Sequence, residues 1–84
     1  MDLKINKDIV VRSIDGLYYI VDPSRQMLHS LNETGTAIFE QMKKGAVAED
    51  IIKYICEQFE VEKEQAEKDL NELIAEFKKK KIID

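Results

Sequence analysis

The chain holds one histidine, His29, and one cysteine, Cys56. These side chains do most of the acid–base and nucleophilic chemistry available near neutral pH. A general base needs a group to deprotonate, and no nucleophile or second histidine accompanies His29. It therefore reads as strand packing or a peptide contact. Cys56 shares a helical spacing with Ile52, Ile55 and Phe59, at i, i+3, i+4 and i+7. An unpaired cysteine on such a stripe behaves as a small buried hydrophobe. A disulfide framework and a cysteine or imidazole zinc site are both excluded by these counts. The expectation is no catalytic residue, no metal and no cofactor.

Carboxylates are more abundant. From Glu60 to Glu76 there are seven acids against two lysines, a net of −5. Paired carboxylates can do acid–base work or bind cations, but interspersed Lys63 and Lys68 point to a solvated helix face with i,i+4 pairs. Lys78 to Lys81 end that segment, where cations compensate a helix dipole. The three glycines form no phosphate-cradling loop.

The first third of the chain reads as strands: Ile9-Val10-Val11, then Leu17 to Val21, then Gln26 to Leu31. Asp15-Gly16 is a hairpin signal, since a primed turn needs positive φ. Asp22-Pro23-Ser24 ends the second strand, because proline cannot donate to a ladder. Two tight hairpins give an antiparallel meander whose third strand is an edge. Three helices follow, over about 33–44, 48–59 and 63–80. Asn32 is the chosen N-cap of the first, with Ser30 and Glu33 as a competing capping box. Gly45 ends it. Ala66, Leu70, Leu73, Ile74 and Phe77 repeat at helical spacing in the third, and Ile82-Ile83 packs back on the sheet.

Length and charge narrow the function. A chain of 84 residues supports one standalone domain over residues 1–84, with little room for a deep active site beside its core. The formal charge of −4 opposes a nucleic-acid partner, which needs a concentrated basic face. The N-terminus lacks an apolar signal run, and no stretch approaches a membrane span. A cytoplasmic location without membrane attachment is expected.

Two readings remain. A short sheet with three helices evokes a winged helix-turn-helix, in which the third helix reads the major groove; here that helix is acidic and would repel phosphate. The other uses the edge strand, whose unpaired N–H and C=O groups can accept an extended peptide as an added strand.

Leu31-Asn32-x-Thr34-Gly35 opens the first helix and Gly45 closes it. Ile51 or Ile52, Ile55 and Phe59 follow, then Asp69 and Leu73, then Ile82-Ile83. This pattern resembles the PqqD-like proteins over nearly the whole chain. The resemblance implies an α+β, winged-helix-like fold, with a three-stranded antiparallel sheet followed by three helices. It also implies a non-enzymatic RiPP recognition element. Such a module binds the leader segment of a ribosomally made precursor peptide and presents it to a modifying enzyme: a radical-SAM protein, a cyclase or a leader peptidase. Carried over, the peptide contacts fall on Gln26, Met27, Leu28, His29 and Ser30. Asp69, Leu73, Glu76, Phe77 and Lys80 form the opposite wall. The sharp corner at Asn32–Gly35 would then end the edge strand cleanly and swing the first helix to the covered face.

Overall fold

A computed structural model describes residues 3–83, so the extreme ends of the expected 1–84 domain lie outside the described residues. Strands β1 (Val10–Ile14), β2 (Leu17–Asp22) and β3 (Met27–Ser30) precede helices α1 (Glu33–Lys43), α2 (Ala48–Phe59) and α3 (Lys63–Lys79). The sheet is antiparallel in the order β1-β2-β3, which leaves β3 as an edge.

The first hairpin turns on Asp15 and Gly16, at φ +54° and +80°. Positive φ at both central residues is the primed turn that matches strand twist. The second hairpin is looser than expected. Asp22 pairs with Met27, and the loop between them closes through Arg25 N–H to the Asp22 carbonyl at 3.2 Å and Gln26 N–H to the Pro23 carbonyl at 3.3 Å. Gln26 stands at φ +54° and belongs to this loop rather than to β3. The Asp22 side chain is 2 % exposed. Its carboxylate accepts from Ser24 Oγ at 2.7 Å and lies 3.6 Å from Arg25 Nε, so a buried charge is answered within its own turn.

The corner after β3 is held from three sides. Leu31 N–H donates to the Tyr18 carbonyl at 2.9 Å, and Tyr18 N–H donates to Thr36 Oγ1 at 3.1 Å. Asn32 caps α1, its Oδ1 accepting from Gly35 N–H at 2.8 Å. The alternative box of Ser30 with Glu33 does not form, because Asn32 is the cap: Ser30 still belongs to β3, and Glu33 is the first helical residue rather than the third after a cap. A Cβ on Gly35 would lie 3.2 Å from Asn32 Oδ1 and 3.3 Å from Leu31 Cδ2. A side chain there would press on the cap and on Leu31, each of which would have to give by a few tenths of an ångström.

The core gathers Ile20 and Leu31 from the sheet side, Ile38, Phe39 and Met42 from α1, Ile51 and Ile55 from α2, and Ala66, Leu70, Ile74 and Phe77 from α3. On α2 the inward pair is Ile51 and Ile55. Ile52, Cys56 and Phe59 stand half-buried at the margin, so Cys56 packs at the core's edge rather than inside it. Ile82 and Ile83 are buried, but Ile83 bridges to Ile5 and the Ile82 carbonyl accepts from Asn6 N–H at 2.8 Å. The backbone of the C-terminal pair thus meets the N-terminal segment, while both side chains join the core that includes Ile20 of the sheet. Lys81, at φ +59°, ends α3 in the left-handed conformation, with Ile82 N–H bonded to the Phe77 carbonyl at 2.8 Å. This is the hydrogen-bond pattern of a Schellman motif, made without glycine.

Candidate functional site

A cavity of about 330 Å³ opens between β3, the N-terminus of α1 and the outer side of α3. Its apolar surface comes from Leu31, Ile38 and Leu73. His29 and Ser30 border it on the strand side, and Asp69, Glu72 and Glu76 on the helix side. Alternation along the strand decides who faces where. Met27, His29 and Leu31 point toward the helices and are half-buried or buried, whereas Leu28 and Ser30 point to the outer face and are exposed.

The register also fixes the backbone. In an antiparallel ladder, hydrogen-bonded and non-bonded pairs alternate. Leu31 N–H bonds the Tyr18 carbonyl, so the pairs in step with it, Ile20 with His29 and Asp22 with Met27, are the bonded ones. Tyr19 with Ser30 and Val21 with Leu28 are the non-bonded pairs. The N–H and C=O of Leu28 and Ser30 therefore face the open edge.

His29 joins the strand to α3. Its ring meets Phe77 edge-on, with centroids 5.7 Å apart, and its Nδ1 lies 2.6 Å from Lys80 Nζ. An ammonium has only donors, so Nδ1 accepts and the proton of the neutral ring is on Nε2. Burial, then the charge of Lys80, hold the imidazole below its ordinary pKa, with Glu76 opposing them. Lys80 also lies 3.9 Å from Glu76 Oε2. On the far side of the core, Tyr18 Oη donates to Glu40 at 3.0 Å. Its phenol is pushed up by burial and by Glu40, away from the cavity.

The residues anticipated as contacts separate into groups. His29, Ser30, Asp69, Leu73 and Glu76 come together around the cavity. Lys80 is anchored at its end through His29 and Glu76. Met27 is half-buried beside the core, and Leu28 is exposed at the edge. Gln26 stands in the turn, outside the ladder, because its positive φ breaks the strand. Phe77 is fully buried. It shares the inward stripe of Ala66, Leu70 and Ile74, so it supports His29 from behind and is no groove wall. The N-terminus of α1 was not anticipated here. Thr34, Gly35 and Ile38 line the cavity, so the start of α1 closes one end of it. Among the described residues no set of His, Cys, Asp and Glu is grouped to hold a metal ion. No helix among them is long and apolar enough to cross a membrane.

Residues 18–83 match the family described as coenzyme PQQ synthesis protein D (PqqD). The chain belongs to the PqqD family. The match begins at β2, so β1 lies outside it. No curated protein matches the chain in sequence. Two solved structures share its fold. One is TbiB1 in complex with the TbiA(beta) leader peptide, with a TM-score of 0.88 at 23 % identity over 94 % of this chain and 92 % of that one. The other is lasso peptide synthetase B1 complexed with the leader peptide, with a TM-score of 0.84 at 23 % identity over 92 % and 91 % of the two chains. The three-stranded sheet followed by three helices, which the sequence pattern implies, is thus shared with both of these structures.

Proposed function

We propose that this chain is a leader-peptide-binding module. It takes the leader of a ribosomally made precursor as an added strand on β3, along α3, and presents it to a modifying enzyme of the radical-SAM, cyclase or leader-peptidase kind. The observation that carries this is the open edge of β3 beside a half-apolar cavity. Unpaired main-chain groups at Leu28 and Ser30 supply hydrogen bonds to a guest backbone, and the cavity takes its alternate side chains. Membership of the PqqD family and the likeness to two leader-bound structures support the same reading. Binding and presentation require no catalytic group on this chain. A nucleic-acid role gains nothing from the geometry: Asp69, Glu72 and Glu76 line the open side of α3, where phosphate would be repelled.

The test is a proline scan of β3, titrated with a leader peptide first selected for binding to the parent protein. Proline deletes one N–H and is tolerated at edges. Leu28→Pro and Ser30→Pro keep the fold and lose leader binding, through a lost hydrogen bond worth about 0.5–1.5 kcal/mol and a ring in the path of the guest. Met27→Pro and His29→Pro break inward bonds and lower the melting temperature. Full leader affinity in Leu28→Pro and Ser30→Pro would show that the peptide is not added at this edge.

A further inference from the structure

We propose that a second cavity, at the far end of α1 from the leader lane, docks an acidic segment of the modifying enzyme, one that carries an apolar side chain beside its carboxylates. This names the partner surface of the presentation step and rests on the leader-binding reading. An enzyme that receives a leader must hold this chain without covering the lane. The second cavity measures about 410 Å³ and lies between the N-terminal segment and the turn that joins α1 to α2. Leu3 and Ile5 form one wall, and Met42, Ala46 and Val47 form the other. The bridge from Ile5 to Ile83 fixes the first wall to the fold. The leader-side cavity reaches Gly35 and Ile38 on the same helix. Gly35 and Met42 are about 10 Å apart along its axis, so one guest does not exclude the other.

Charge identifies the occupant. The leader-side cavity is lined by three carboxylates and no lysine, whereas this one is lined by Lys4 and Lys43 and no carboxylate. Lys43 stands 5.4 Å from the centre of the Tyr18 ring. Among the described residues, neither it nor its exposed neighbour Lys44 lies within ion-pair distance of a carboxylate. A helix C-terminus favours cations, but its dipole does not call for an apolar pocket beside them. In a chain of net charge −4, this basic end draws in an acidic surface, while the acidic face of α3 repels it. Val47 supplies an independent argument. It is the N-cap of α2, where Ser or Asp would accept an orphan N–H, and it makes no such bond. Glu49 and Asp50 in the first turn answer that helix end instead. Val47 is also 61 % exposed, so the core does not claim it. An apolar side chain that neither caps nor packs, at the rim of a cavity, marks a contact with another protein.

The experiment pans a random library of displayed short peptides against Ser30→Pro, whose leader lane is closed, so that binders use another surface. The selected peptides join Leu, Ile or Phe to Asp or Glu. A selected peptide binds the parent equally well, is not displaced by a leader peptide selected on the parent, and weakens as salt is raised. It loses roughly tenfold in affinity on Lys43→Glu and on Val47→Asp. The second variant supplies the missing cap, so its melting temperature rises while the peptide is lost, which a folding defect cannot do. The inference is overturned if panning yields no binder, if the binders lack acids, if their affinity survives in both variants, or if they compete with the leader. Sedimentation that shows a dimer of the parent, absent in Val47→Asp, gives the cavity to a second copy and overturns it as well. The leader separates the two levels. An acidic peptide that binds as expected, with no leader binding to the parent, upholds this surface and sinks the leader reading. A leader that binds the parent and not Ser30→Pro, with no acidic binder, upholds the leader reading and sinks this surface.

Discussion

Helix α3 carries two stripes a single residue step apart, and they are used differently. Ala66, Leu70, Ile74 and Phe77 are at most 4 % exposed and complete the core. Asp69, Leu73, Glu76 and Lys80 repeat at the same spacing, yet stay half-buried or exposed beside the open edge of β3. The fold accounts for the first stripe completely. It makes little use of the second, whose one apolar member, Leu73, is left partly uncovered at a cavity. A chain this small gives up core area wherever it leaves apolar surface open. The outer stripe is therefore where binding is to be looked for.

The sharpest way to break this contrast is to truncate one member of each stripe. Phe77→Ala removes a fully buried ring that contacts both Phe39 and His29. It is expected to cost about 3–5 kcal/mol, read as a large drop in melting temperature. Leu73→Ala removes a half-buried side chain and costs about 1–2 kcal/mol, below the range for full burial, while weakening leader binding in a protein that remains folded. Equal destabilisation by the two would erase the distinction between the stripes.

How far the stripes could be told apart from sequence is a question of angle. Leu70, Leu73, Ile74 and Phe77 are all apolar, and their spacing shows that one side of the helix is buried but not where that side ends. Phe77, which the family pattern carries to the wall, thus turns out to lie on the buried side, and on α2 the inward residue of the pair Ile51 and Ile52 is Ile51. Local signals did better. Asp15-Gly16, Asn32 and Gly45 each specify a turn or cap through their own backbone needs, and the structure has all three. The edge position of β3 followed from the meander. Contacts that join distant parts of the chain left no such trace. The bridge from Ile5 to Ile83 and the closure of the cavity by Thr34, Gly35 and Ile38 have no local pattern. Asp22 is an intermediate case: a carboxylate two residues before Ser24 is a recognisable turn pattern, but its burial depends on the whole second hairpin.

A middle-sized effect tests the lip that faces the outer stripe. Of the three helices only α1 has a side-chain cap, since neither Val47 nor Glu62 makes one. Asn32→Ala leaves the Gly35 N–H without its acceptor and is expected to cost about 1 kcal/mol, seen in chemical denaturation with an unchanged slope. Because Asn32 also borders the cavity, the same variant should weaken leader binding, whereas Val47→Ser should stabilise α2 and leave binding alone. Unchanged leader binding in Asn32→Ala, despite its lower stability, would remove the cap from the binding lip.

The smallest effect concerns the residue that touches both stripes. His29 meets Phe77 of the inner stripe edge-on and accepts from Lys80 of the outer one, with Glu76 3.9 Å from Lys80. Its pKa is held below the ordinary 6.5 by burial and by Lys80. The sign follows from which state binds the proton first. Above 6.5 the ring is neutral folded and unfolded alike, and its contribution is fully present. As pH falls below 6.5 the unfolded chain takes up a proton that the folded chain refuses, so stability declines. The decline levels off once the pH passes the folded pKa. Subtracting the denaturation curves of His29→Gln from those of the parent, between about pH 7 and pH 5, cancels the carboxylate titrations common to both. The difference should slope downward toward acid. A flat difference would mean that the ring does not feel Lys80 or its burial, and that the two stripes are not joined through His29.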